Sequence, residues 1–394
     1  MKTSLLFLLL VISFASFAQN YNIGHRQLTW IDASRNNRSV KFEVYYPAAS
    51  NGDNIPVITN GKKFSLLVFG HGYQLTYLDY VWLKDSLVPK GFFLVFPRTE
   101  EQLFPSHTGF AKDYAFIIDK FDATKNNNSN WYYNRIKNKY AVGGHSMGGG
   151  CSLLSVQYSA KISAVFNFAA AETNPSAIAA CKAIAIPALL FAGGKDCVSP
   201  PSSNQLPMYN NIQNICKTYV LVNAARHCQW ANNNGTCRAG ELFCSPVSPS
   251  PKTTLATTFS LLYPWLDDKL NSNKIAAQKF QQLLASTKGI TYKQNCSAAN
   301  VTNNIAENII DDNLVKVYPS TASAGTVLNI SLPQLQYKGA LQVFNQSGKL
   351  MYARDIQSSN DQIQHIASAN YKKGIYFIVV TDGSKQYKSS FIIE

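Results

Sequence analysis

The chain has 394 residues, 46% hydrophobic and 15% charged, with a formal net charge of +14. That length and apolar fraction exclude a disordered chain and admit a sizeable core in more than one domain. The basic excess is scattered, with no run of Lys or Arg, and so lacks the clustered footprint of a nucleic-acid binder.

The N-terminal segment "MKTSLLFLLLVISFASFAQ" has one lysine before an apolar run and small residues toward its end, Ala15-Ser16-Phe17-Ala18. This is the plan of a secretory signal peptide. Residues 1–18 are expected to be removed, leaving Gln19 at the mature N-terminus. No later stretch reaches the ~20 apolar residues of a membrane helix, so an exported protein without a transmembrane segment is expected. Export changes how the eight cysteines read, at 151, 181, 197, 216, 228, 237, 244 and 296. In an oxidising compartment some of them pair, among on the order of 100 possible connectivities. None has CxxC spacing, so neither a zinc site nor any other metal is expected.

From about residue 26 to 270, short apolar runs alternate with helical stretches. "KFEVYYP" (41–47), "FSLLVFGHG" (64–72), "GFFLVFPRT" (91–99), "KYAVGGHS" (139–146), "ISAVFNFAA" (162–170), "IPALLFAGG" (186–194) and "TYVLVNAARH" (218–227) read as strands. Helices are expected in "LDYVWLKDSLVP" (78–89), "AKDYAFIIDKFDA" (111–123), "GGGCSLLSVQYSA" (148–160) and "TTLATTFSLLYPWLDDKL" (253–270). Near-continuous apolar strands between helices predict an α/β domain, a mostly parallel sheet covered on both faces. This domain spans residues 19–299. An Asn-rich linker follows at 300–314. Over 315–394 the helical pattern vanishes, and alternating strands with "SGK" and "DGSK" turns predict a small antiparallel β-sandwich.

Five glycines crowd around one serine in "YAVGGHSMGGGCSLLS" (140–155). Gly144-His145-Ser146-Met147-Gly148 is a G-x-S-x-G nucleophile elbow between an expected strand and an expected helix. A sharp strand-to-helix turn brings backbone close at the second position on either side of the serine, where a β-carbon does not fit. A serine nucleophile needs a base, and the base an orienting acid. Between Ser146 and Cys296 the only histidine is His227, and between Ser146 and His227 the only carboxylates are Glu172 and Asp196. Asp196 follows a strand in "GGKDCVSPP" and is the preferred acid, with Glu172 the alternative. The tetrahedral oxyanion needs two preorganised backbone donors. Met147 N–H, next after the nucleophile, is one; Tyr73 N–H, in the loop Gly70-His71-Gly72-Tyr73, is the other. His71 precedes Ser146 and belongs to that loop, which points to shaping it rather than to catalysis.

Together "GHSMGGG", "GHGYQ", "GGKDCVSP" and "RHCQW" resemble the α/β-hydrolase family, in its secreted bacterial cutinase-like and polyester-hydrolase branch, with chlorophyllase- and dienelactone-hydrolase-type relatives nearby. The likeness covers about residues 40–270. It implies a cofactor-free Ser-His-Asp esterase (Ser146, His227, Asp196) with a shallow cleft, in which Tyr73 and Trp230 offer aromatic walls. The implied substrate is an ester or polyester such as poly(ethylene terephthalate). The alternatives are a small-ester or lipid-ester hydrolase and a non-catalytic surface-binding protein of the same fold. One departure matters: where the polyester hydrolases carry a tryptophan after the sixth strand, this chain reads "AAAETNPSAIAA". Two disulfides are candidates here, Cys197–Cys228 joining the residues after the acid and base, and Cys237–Cys244 closing the loop beyond. The C-terminal segments "VYPS", "VFNQSGKLMY" and "KKGIYFIVV" resemble the sorting domain of the type IX secretion system. That implies the secretion machinery as partner and a secreted or surface-attached product. A monomer is expected.

Overall fold

In a computed structural model of the chain, the described residues are 20–213, 216–232, 235–242, 244, 250–296, 315–319, 321–332, 339–345, 349–357, 363–382 and 385–394. The expected signal peptide and linker lie outside them. The chain divides into two compact units, Met1–Ala299 and Asn300–Glu394.

The first unit is built on a ten-stranded sheet. In chain order its strands are β1 (Asn22–Asp32), β2 (Arg38–Ala48), β3 (Gly52–Asp53), β4 (Phe64–Gly70), β5 (Phe92–Pro97), β6 (Ile136–His145), β7 (Ile162–Phe168), β8 (Ala188–Gly193), β9 (Cys216–Val222) and β10 (Ile290–Cys296). They lie in the order β10-β9-β8-β7-β6-β4-β5-β2-β1-β3. Neighbours from β5 through β9 pair in parallel, while β1, β2 and β10 add antiparallel pairings at the two sides. The helices are α1 (Val81–Leu87), α2 (His107–Thr124), α3 (Met147–Ser155), α4 (Ala177–Ala180), α5 (Gln205–Asn211), α6 (Gly235–Gly240), α7 (Pro251–Asn271) and α8 (Lys274–Ser286).

Successive strand residues point to opposite faces, which yields two cores. On one side Leu66 and Val68 of β4 pack with Phe110, Tyr114 and Ile118 of α2, Leu153 of α3 and Met208 of α5. On the other, Leu67 and Phe69 pack with Leu83 of α1, Leu261 and Trp265 of α7 and Phe280 of α8. Both faces are therefore dry, as the continuous apolar strands predict. Three outer strands, β1, β3 and β10, and the helices α4, α5, α6 and α8 were not among the expected elements. β1 alternates exposed and half-buried positions, and its one-sided pattern is weaker than that of the central strands.

The second unit holds two sheets. One has three antiparallel strands, Lys316–Tyr318, Val327–Ser331 and Ile363–Ala367. The other has five, with Leu350–Ile356, Gly339–Asn345, Gly374–Asp382 and Lys385–Ile393 antiparallel and the short Thr321–Ala322 parallel at the edge. Leu328, Ile330, Leu341, Val343, Ile378 and Val380 fill one core of their own.

Candidate active site

Ser146 stands between β6 and α3 with φ 54° and ψ −122°, a left-handed conformation that a residue with a β-carbon rarely adopts. The surroundings hold it there. Ser146 N–H donates to the Phe168 carbonyl at 3.1 Å, while its own carbonyl accepts from Gly150 N–H at 3.1 Å and Ala171 N–H at 2.9 Å. The glycines answer to close approach: a β-carbon on Gly144 would strike the Gly148 backbone, and one on Gly148 the carbonyls of Gly70 and His71. The turn thus exists only if these positions carry no side chain, and it seats Ser146 above the N-terminus of α3, where the helix dipole favours negative charge. Among the described residues the Ser146 hydroxyl makes no hydrogen bond.

His227 and Asp196 come from the loops after β9 and β8. His227 Nδ1 meets Asp196 Oδ2 at 2.7 Å, with both side chains buried. Asp196 is further held by N–H donation from Val198 and Ser199, each 2.9 Å from Oδ1, and by the Ser199 hydroxyl 3.1 Å from Oδ2. The two loops are stitched by backbone: Gly194 N–H donates to Val222 and Lys195 N–H to Ala225. Glu172 does not pair with His227; its carboxylate accepts from Ile178 N–H at 3.0 Å, which closes its own loop.

Met147 is the first residue of α3 and is buried; Tyr73 is 46% exposed, with its hydroxyl donating to the Leu103 carbonyl at 2.9 Å. Phe104, 86% exposed, and Leu103 extend the apolar surface beside Tyr73, and Val198 is exposed beside Asp196. Trp230 corrects an expectation. It is fully buried, its ring parallel to Phe168, its indole N–H donating to Thr258 Oγ1 at 2.8 Å and its carbonyl accepting from the Trp82 indole. It anchors the His227 loop from below and offers no aromatic wall. Burial wins because the short helical turn His227–Trp230 turns the ring toward α7.

The disulfide candidates are also corrected. Cys197 pairs with Cys244, Cys228 with Cys237, and Cys216 with Cys296, while Cys151 and Cys181 are free and buried. The residues that follow the acid and the base are therefore not joined to each other; each is tied to the segment 237–244. Glu241 of that segment is buried and accepts from Cys228 N–H at 2.6 Å, a third link to the His227 loop.

Other participants escaped sequence reading. His145, inside the elbow, is fully buried. Its Nε2 faces the His227 carbonyl at 2.9 Å and its Nδ1 the Tyr80 hydroxyl at 2.8 Å; that hydroxyl in turn accepts from Gly72 N–H at 3.0 Å. A carbonyl only accepts, so Nε2 carries the proton and Nδ1 accepts from Tyr80. Burial, with His227 close by, pushes the His145 pKa well below the ordinary value, consistent with this neutral tautomer. His145 was visible only as the position before the elbow serine; Tyr80 left no signal, because its partners lie far away in sequence. Among the described residues no three His, Cys, Asp or Glu side chains gather as metal ligands, and no helix is long and apolar enough to cross a membrane.

A parallel sheet covered by helices, with a serine at a strained strand-to-helix elbow, defines an α/β-hydrolase. The chain belongs to the PET hydrolase-like family, whose model matches residues 19–245. Residues 316–394 match the secretion system C-terminal sorting domain. No curated protein matches the chain. The protein is therefore a secreted ester hydrolase sent out by the type IX route.

Proposed function

We propose that this protein cleaves carboxylic esters through Ser146, His227 and Asp196, with bulky or polymeric esters as substrate. Ser146 attacks the carbonyl while His227 takes its proton, and Asp196 holds the imidazole and stabilises the imidazolium. The oxyanion lies between the N–H groups of Met147 and Tyr73. His227 then returns the proton to the leaving alcohol, and water hydrolyses the acyl-enzyme by the same steps.

The observation that carries this reading is the buried 2.7 Å contact between His227 Nδ1 and Asp196 Oδ2, on loops flanking an elbow serine at φ 54°. Exposed Tyr73, Leu103, Phe104 and Val198 around it favour an apolar substrate spread over the surface. A second reading, small or lipid esters, is favoured by the segment "AAAETNPSAIAA", which lacks the tryptophan that the polyester hydrolases carry after the sixth strand. Acid release from a short aryl ester and from an amorphous aromatic polyester film, with Ser146→Ala as control, separates them. Serine-dependent turnover of both supports the polymer reading; turnover of the soluble ester alone moves the substrate to small or lipid esters. Serine-independent turnover overturns the triad, and absent turnover leaves a binding protein of this fold.

A further inference from the structure

His71 lies in the loop after β4 and is buried, yet both its ring nitrogens face carbonyl oxygens: Nδ1 is 2.9 Å from the Gly72 carbonyl and Nε2 is 3.0 Å from the Thr99 carbonyl. A carbonyl oxygen can only accept. A neutral imidazole donates through one nitrogen and would turn the other lone pair against an oxygen lone pair; only the imidazolium satisfies both contacts.

The surrounding charge fits. Thr99, whose carbonyl receives Nε2, donates its hydroxyl to Asp113 at 2.6 Å. Asp113 belongs to a cluster with Asp32, Glu100, Arg35 and Arg38, joined by ion pairs of 2.5–2.7 Å. Three carboxylates against two guanidiniums leave one negative charge, which one imidazolium balances. The other groups on the packed elements are Phe110, whose ring lies 4.8 Å from that of His71; Tyr114, Tyr80 and Cys151, all pushed up in pKa by burial and hence neutral; His145, pushed down by burial and also neutral; and Arg98 and Glu101 beside Thr99, of opposite charge to each other.

We infer that His71 is a doubly donating imidazolium that positions the oxyanion donor, a role resting on the esterase reading above. The carbonyl of Gly72 and the N–H of Tyr73 belong to one planar trans peptide and point in opposite directions. His71 Nδ1–H and Leu75 N–H, the latter at 3.1 Å, both donate to that carbonyl. Gripping the carbonyl aims the N–H the other way. Gly72 sits against the nucleophile, since a β-carbon on it would lie 3.3 Å from Ser146 Cβ. The preceding peptide is pinned as well, by Gly72 N–H on Tyr80. A cationic donor on the carbonyl also polarises the amide and strengthens its N–H as a donor. His71 is thus a positioning residue, acting through a peptide it does not share with substrate.

The test combines protonation state and kinetics on the full chain. Nitrogen-15 spectra of histidine-labelled protein at neutral pH, with the His71 signals identified by their loss in His71→Asn, are expected to show a proton on both ring nitrogens. One bare ring nitrogen overturns the inference. His71→Leu is expected to lower kcat for a soluble aryl ester by about 10- to 100-fold, short of or equal to the loss of a whole oxyanion donor, with KM nearly unchanged. His71→Asn, whose amide replaces the Nδ1 donor, is expected to recover most of it. Wild-type kcat in His71→Leu, with Ser146→Ala inactive, overturns the inference and leaves the esterase reading standing; activity in Ser146→Ala overturns both. Should His71→Leu fail to fold, the wild-type spectrum and His71→Asn decide.

Discussion

His145 donates its Nε2 proton to the backbone carbonyl of His227 at 2.9 Å, so the residue before the elbow serine holds the loop of the proposed base. Tyr80 completes the relay, linking His145 to Gly72 and hence to the loop that carries Tyr73. The proposed nucleophile, base and oxyanion loop are thereby linked by one buried chain of three hydrogen bonds.

Removing the Tyr80 hydroxyl leaves Gly72 N–H and His145 Nδ1 buried without a partner. Tyr80→Phe is expected to lose about 2 kcal/mol of stability and to lower kcat more than it raises KM. Denaturant unfolding alongside steady-state kinetics checks both, and an unchanged kcat would show that the relay holds only the fold.

Asp196 and Glu172 are the two carboxylates between Ser146 and His227, and their surroundings differ. Asp196→Asn is expected to lower kcat by about 10⁴-fold, as removal of a triad acid does. Glu172→Gln keeps an acceptor for Ile178 N–H and is expected to stay near wild type. The reverse ranking in ester hydrolysis would move the acid to Glu172.

The disulfides separate stability from activity. Cys216–Cys296 joins β9 to the edge strand β10 across 80 residues, while Cys228–Cys237 spans only 9 beside His227. Loop entropy assigns about 4.5 kcal/mol to the first and about 2.5 kcal/mol to the second. The Cys216→Ser/Cys296→Ser pair is expected to show the larger drop in Tm with near-normal kcat, and Cys228→Ser/Cys237→Ser the larger drop in kcat.

His25 bridges Glu43 at 2.8 Å and Asp53 at 2.7 Å, with Arg98 on the far oxygen of Glu43 and the ring stacked on Tyr45. Hydrogen bonding to Glu43, then to Asp53, raises its pKa above the ordinary 6.5 against the opposing effect of burial. A raised folded pKa means the protonated form is the one bound more tightly in the fold. Its stabilisation is complete below 6.5 and disappears as pH climbs through the folded value. The stability difference between wild type and His25→Gln is expected to shrink over that rise; a constant difference from pH 5 to 9 would contradict it.

How far the chain could be read in advance follows from the range of each cue. Central strands announced themselves because burial on both faces makes them continuously apolar, as in "FSLLVF". Ser146 was legible from local backbone crowding, and His227 from its being the only histidine available. Trp230 misled because a residue three beyond a candidate base reads as near the cleft, whereas the short turn carries its ring into the core against Phe168. Cysteine pairing depends on where distant loops meet, which spacing does not encode. Tyr80 was opaque for the same reason, and of His71 only its place in a shaping loop could be read; the contacts with His145 and Thr99 lie on other elements.

In the proposed reaction Ser146 carries a covalent acyl group. The most direct measurement is intact and peptide mass spectrometry of the full chain after reaction with an activated aryl phosphonate ester, an analogue of the tetrahedral intermediate. One adduct per chain is expected, on the peptide containing Ser146, absent in Ser146→Ala and slowed in His227→Ala. No adduct, or an adduct on another residue, would contradict it.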